Sequence, residues 1–152
     1  MIEIFYKKDG QMMVSQSETD FAIIPKENVI WIDLFTPTGE EKRAVESYLG
    51  TTIQNRAQAE EIEISSRFSE TEHAIFANTS FLIPGPDEYN EETVSFILAG
   101  DILTTLRECP LKSFTDLQRR LMAFPKMYDS GHVAFLSILE QRIDLDADMV
   151  EL

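Results

Sequence analysis

Glu60 and Glu61 are the residues whose types and spacing most invite chemistry. They lie in AEEIEISSRF, residues 59–68, where an acidic, helical-looking segment runs into an alternating, strand-like one. Neighbouring residues on a helix diverge by about 100°, so these carboxylates are poor partners for a glycosidase-type acid and base pair. Near a helix C-terminus they also oppose the macrodipole, at a cost of some tenths of a kcal/mol each. Two readings follow from the residues themselves. One is ordinary solvated charge; the other is part of an all-oxygen shell for a hard cation such as Mg²⁺ or Ca²⁺, completed by waters or by a second subunit.

Other chemistry finds little support. His73 and His132 are the only histidines, and neither lies in an H-E-x-x-H pattern, so both read as structural or surface residues. No G-x-S-x-G elbow, phosphate-binding P-loop or G-x-G-x-x-G turn occurs, and the six glycines are scattered singly. Cys109 precedes Pro110 and reads as a small apolar residue buried at a strand end. Arg119 and Arg120 read as decoration of a solvated helix face, and Trp31 with the phenylalanine-rich strands reads as core. No nucleophile, base and orienting group fall into a recognisable arrangement, so the expectation is that the protein is not an enzyme.

The elements that must position Glu60 and Glu61 belong to a chain of 152 residues, enough for one domain with a proper core. Its 43% hydrophobic and 26% charged residues are those of an ordinary globular protein. The charge balance is not ordinary: 27 acids against 13 bases give a formal net charge of −14. Such a surface repels phosphate backbones and attracts cations, so nucleic acid is excluded as an expected partner. One cysteine forbids an intrachain disulfide and suits a reducing compartment. MIEIFYKKDG lacks the pattern of a signal peptide, and the longest apolar stretch, about residues 94–100, is far short of the ~20 residues that span a bilayer, so the chain as it stands is expected to be soluble.

Residues 2–7 and 11–15 read as a hairpin around Asp9-Gly10, and residues 28–34, NVIWIDL, as a third strand. A helix follows, capped by Thr36 or Thr38, with Glu40 and Glu41 in its first turn, a stripe of Ala44, Val45, Tyr48 and Leu49, and Gly50 as its stop. A second helix is expected from Thr51 to about Ile62. Strands are expected over 64–70, 73–83, 93–99 and 102–107, with a proline-rich loop at 84–87 and a turn at Gly100-Asp101. Residues 112–124 read as a helix closed by Pro125. The order of elements predicts an α/β domain in which helices cover a mixed sheet rich in antiparallel neighbours.

From Gly131 onward, Val133, Leu136, Leu139, Ile143, Ala147 and Val150 recur at helical spacing and predict one buried face. The pattern still runs at Leu152 with no capping residue, which raises the expectation that the natural polypeptide continues.

WIDLFTPTGEE, EEIEISSRFSETEHAIFANTSFLI and VSFILAGDILTTLRE occur in that order, and together they resemble the cytoplasmic domain of CorA-type divalent-cation transporters. The resemblance covers nearly the whole chain. It implies one cytoplasmic domain over residues 1–152, a three-layer α/β/α sandwich with a mixed, largely antiparallel sheet that ends in the start of a long helical region directed to a stalk. Stalk and transmembrane parts would lie outside this sequence.

The resemblance also implies a homopentamer on the cytoplasmic face of the inner membrane, held there by those further helices. Mg²⁺ would bind between neighbouring subunits and favour the closed channel. Glu60 and Glu61 match the family's acids at the end of the helix before the E-x-E strand, with Glu61 where aspartate is common. The partner acid would lie along the stalk. No organic cofactor is implied. Two other readings stand beside this one: a relative that moves Co²⁺ or Zn²⁺, and a free-standing acidic domain that binds a basic partner.

Overall fold

The computed structural model describes residues 1–53, 68–70, 74–84, 86 and 89–151. β1 (Ile2–Lys8) and β2 (Gln11–Ser15) form the expected hairpin. Asp9 and Gly10 both take positive φ, 53° and 79°, the conformation that a two-residue turn needs to match strand twist. β3 (Val29–Phe35) follows two short 3₁₀ turns. Its run VIWIDL is buried without interruption, as expected of a strand covered on both faces.

α1 (Gly39–Leu49) begins at Thr38, whose hydroxyl accepts from the Glu41 N–H at 3.1 Å while Glu41 Oε1 accepts from the Thr38 N–H at 2.9 Å. This reciprocal pair selects Thr38 over Thr36 as the cap. Gly50 ends the helix in the left-handed conformation. β4 (Phe68–Glu70), β5 (Ala74–Pro84), β6 (Tyr89–Ala99) and β7 (Ile102–Arg107) complete a seven-stranded sheet of order β2-β1-β3-β7-β6-β5-β4. Its pairs are antiparallel except β3 with β7. α2 (Lys112–Ala123) and α3 (Gly131–Glu151) follow.

Two buried clusters lie on opposite faces of the sheet and make the three layers. Ile2, Ile4, Ile32, Leu34, Ile97 and Ile102 pack with Val45 of α1 and with Ile53. Phe5, Trp31, Phe81, Phe96 and Leu103 pack with Phe114, Leu117 and Leu121 of α2 and with Ala134 and Ile138 of α3. Trp31 anchors the second cluster, stacked on Phe5 at 4.9 Å and edge-on to Phe114 at 5.7 Å. Removing side chains of this size from water stabilises the fold by about 1.5–3 kcal/mol each.

Two expectations need correction. β6 starts at Tyr89, four residues before the predicted Thr93, because Tyr89 to Glu92 pair with Pro84 to Phe81 in a long two-stranded ribbon. Those residues carry two glutamates and lack the apolar alternation that marks a strand in sequence. In the first turns of α3 the packed face is also not the predicted one: Val133 and Leu136 are 38% and 58% exposed, while Gly131, Ala134, Ser137 and Ile138 are buried. Leu139 is half-buried, and the side chains of Ile143, Ala147 and Val150 lie outside the described ones. A Cβ on Gly131 would lie 2.2 Å from the Leu103 backbone nitrogen, so the helix start approaches β7 too closely for the larger side chains. The expected helix from Thr51 falls outside the described residues from position 54, as do the strand residues 64–67, His73 and, of the expected 84–87 loop, Gly85 and Asp87, while Pro84 closes β5 in register with Tyr89.

Candidate functional site

Glu60 and Glu61 themselves lie outside the described residues. Their flanks are placed. Ile53, seven residues before Glu60, is buried among Val45, Ile32 and Leu34 on the α1 face. Phe68, seven residues after Glu61, opens β4 at the outer edge of the sheet, in register with Ala77. The chain therefore enters the acid-bearing stretch from the α1 layer and leaves it at the edge strand.

Beside the point of entry lies an open groove of about 570 Å³ bordered by Lys26, Glu27, Tyr48, Leu49, Gly50 and the Gly100-Asp101 turn. Tyr48 stacks on Phe21 and donates its hydroxyl to the Ile24 carbonyl at 2.6 Å. Burial, and then the nearby charge of Glu27, push its phenol above the usual tyrosine range. It therefore stays protonated and serves as a fixed donor that ties α1 to the segment before β3.

Among the described residues no group of three or more His, Cys, Asp or Glu side chains is placed to hold a metal ion. A carboxylate pair at 60 and 61 offers hard oxygen donors, which fit Mg²⁺ chemically but are too few for the six-coordinate shell it requires. His132 is half exposed, with Nδ1 4.0 Å from the Asp101 carboxylate, as expected of a surface residue. Arg119 and Arg120 are exposed on α2, and Cys109 packs half-buried against the Trp31 cluster.

A buried polar network escaped the sequence reading. Asp33 on β3 and Arg107 on β7 are 1% and 7% exposed. Arg107 Nη2 donates to Asp33 Oδ2 at 2.8 Å and Nε to Oδ1 at 3.2 Å. Nη1 donates to the Cys109 carbonyl at 2.8 Å. The Thr105 hydroxyl donates to Asp33 Oδ1 at 2.8 Å and accepts from Trp31 Nε1 at 2.9 Å. Phe35 and Phe114 lie 4.5 and 4.9 Å from the guanidinium. Each carboxylate oxygen thus has a donor, and the charge is screened by aromatic faces rather than water. The available signal was an aspartate inside the apolar run VIWIDLF and an arginine closing ILTTLR.

At the same end of the sheet the Met1 ammonium donates to the Phe35 carbonyl at 2.8 Å and lies 3.2 Å from Glu41 Oε1. Burial raises the Glu41 pKa, but the Thr38 N–H, the ammonium and the Thr38 hydroxyl together outweigh it and hold the carboxyl below its usual range.

This architecture is shared with the soluble domain of CorA from Methanocaldococcus jannaschii, which matches over 99% of the chain's length as a likeness of fold. The structure of the CorA magnesium transporter from Methanocaldococcus jannaschii superimposes with a TM-score of 0.65 over 99% of this chain and 49% of that one, at 13% identity, a likeness of fold. The family description "CorA-like Mg2+ transporter protein" matches residues 26–147, and the chain belongs to that family. Among curated relatives, the magnesium transport protein CorA of Wolinella succinogenes is 32% identical over 99% of this chain and 49% of its own length. The CorA of Campylobacter jejuni is 30% identical over 82% of this chain and 41% of its own length. The chain spans about half the length of the curated relatives it matches, or less.

Proposed function

We propose that this domain is the cytoplasmic, cation-sensing part of a magnesium transport protein, and that Glu60 and Glu61 supply half of an Mg²⁺ site between neighbouring subunits. The observation that carries the reading is family membership across residues 26–147, a range that includes both acids. The magnesium names of the relatives at 30% identity or more favour Mg²⁺ over Zn²⁺ as the ion.

The physical basis is charge. Each chain carries −14, so apposed subunits in the proposed pentamer repel until their carboxylates are neutralised. Mg²⁺ bound there, with several waters retained, supplies positive charge at the interface. Glu60 and Glu61 would hold it from one side, and an acid of the neighbour from the other. A ring drawn together in this way favours the closed channel, so internal Mg²⁺ limits its own import. The role is one of binding; no catalytic step is assigned.

The test is transport by the full-length protein carrying Glu60→Ala and Glu61→Ala. Weakened inhibition by internal Mg²⁺, with transport in its absence retained, is the expected result. Inhibition unchanged from the parent would remove both residues from the sensor.

A further inference from the structure

Ile102 stands between the two faces of the sheet. Its side chain is buried in the α1-side cluster that also holds Ile53, the residue from which the chain departs toward Glu60. Its backbone faces the other layer: a Cβ on Gly131 would lie 2.7 Å from the Ile102 carbonyl carbon, 2.2 Å from the Leu103 nitrogen and 2.9 Å from the Asp101 oxygen. The Gly131 N–H donates to that same Asp101 oxygen at 2.6 Å. The first residue of α3 is thus seated on the start of β7 with no side chain between them. Leu103, next along β7, is fully buried on the α2 and α3 side.

We propose that this seat is a mechanical coupling, through which a displacement at Ile53 is felt in the first turns of α3. Packed interiors transmit displacement because they hold few voids. Backbone-to-backbone contact leaves no flexible side chain to absorb the motion. α2 lies on the same face as α3, and its buried Phe114, Leu117 and Leu121 join the Trp31 cluster through long side chains, whereas Gly131 brings backbone against backbone. The coupling is a property of the fold and holds whether or not Glu60 and Glu61 bind Mg²⁺. What it adds to the cation reading is a route: a shift of Ile53 would reach the first turns of α3 on the opposite face of the sheet.

The test is amide hydrogen exchange on the 152-residue chain in four forms: parent, Ile53→Val, Ile102→Val and the double variant. Removing one buried methylene group is mild enough to keep the fold. Ile53→Val is expected to speed exchange severalfold at Ala134 to Ile138 while leaving Leu117 and Leu121 near their parent rates. In the Ile102→Val background the same substitution should have a clearly smaller effect on α3, the non-additivity expected of coupled sites. Three outcomes would overturn the proposal: α3 rates that do not change, α2 and α3 rates that rise together as in global destabilisation, or additive effects of the two substitutions.

Discussion

Asp33 and Arg107 form an ion pair inside the sheet, 2.8 Å at its shortest, across the boundary between β3 and β7. That boundary is the sheet's parallel pairing, and it joins elements that are 66 residues apart between Phe35 and Ile102. The register sets Asp33 opposite Thr105 and Phe35 opposite Arg107. Only in that alignment do the guanidinium, the carboxylate, Thr105 and Trp31 meet.

Breaking the pair from one side should therefore be costly. Arg107→Met leaves a buried carboxylate without its cation and is expected to destabilise the domain by about 3–5 kcal/mol in urea unfolding. The double variant Asp33→Leu/Arg107→Met should recover much of that loss. A single variant as stable as the parent would mean that the pair contributes nothing to the fold.

Thr104 makes the opposite case. It is fully buried, and its hydroxyl has no hydrogen-bond partner among the described residues. Thr104→Val removes an unsatisfied polar group at almost constant volume and is expected to leave stability unchanged or raise it by about 1 kcal/mol. A loss of stability in thermal or urea unfolding would show that the hydroxyl is in fact satisfied.

The Thr38–Glu41 cap gives a pH signature. Because the folded state holds the Glu41 carboxyl below its usual range, its ionised form stabilises the fold above the ordinary glutamate pKa. That contribution falls away as pH drops through the lowered folded value. The stability gap between the parent and Glu41→Gln should thus be widest near neutrality and close in acid. A gap that widened toward low pH would contradict the assignment. Thr38→Ala should cost about 1 kcal/mol, the usual loss for a side-chain cap.

Two glycines at helix starts should respond differently. Gly131→Ala drives a methyl group into the backbone of residues 101–103 and is expected to cost about 1–3 kcal/mol or more. A Cβ on Gly39 meets only the far end of the Arg43 side chain, at 3.5 Å, so Gly39→Ala should be close to neutral. Equal losses at the two sites in parallel melting experiments would argue against the seat of α3 on β7.

What could be read beforehand was largely local. The Asp9-Gly10 turn, the Gly50 stop and the bounds of β7 follow from short-range chemistry, and the structure agrees with each. The parallel pairing of β3 with β7 depends on a long connection, so no short-range signal announces it, and the Asp33–Arg107 pair was hidden with it. The first turns of α3 depart from the hydrophobic periodicity for a related reason. Periodicity weighs side chains by hydrophobicity and favours Val133 and Leu136, while close approach to β7 selects Gly131 and Ala134. Of the candidate site, Glu60 and Glu61 came from the sequence and from the family resemblance, and the structure adds the placement of their flanks at Ile53 and Phe68.

If Glu60 and Glu61 hold Mg²⁺ between neighbouring subunits, association of these acidic chains depends on the cation. Sedimentation velocity of the chain, with and without Mg²⁺ at constant ionic strength, addresses it most directly, because the constant salt background separates specific binding from screening. The expected result is a monomer or weak oligomer without Mg²⁺, association when Mg²⁺ is added, and loss of that response in the Glu60→Ala/Glu61→Ala variant. A stable oligomer without the cation, or an Mg²⁺ response that survives in the variant, would contradict it.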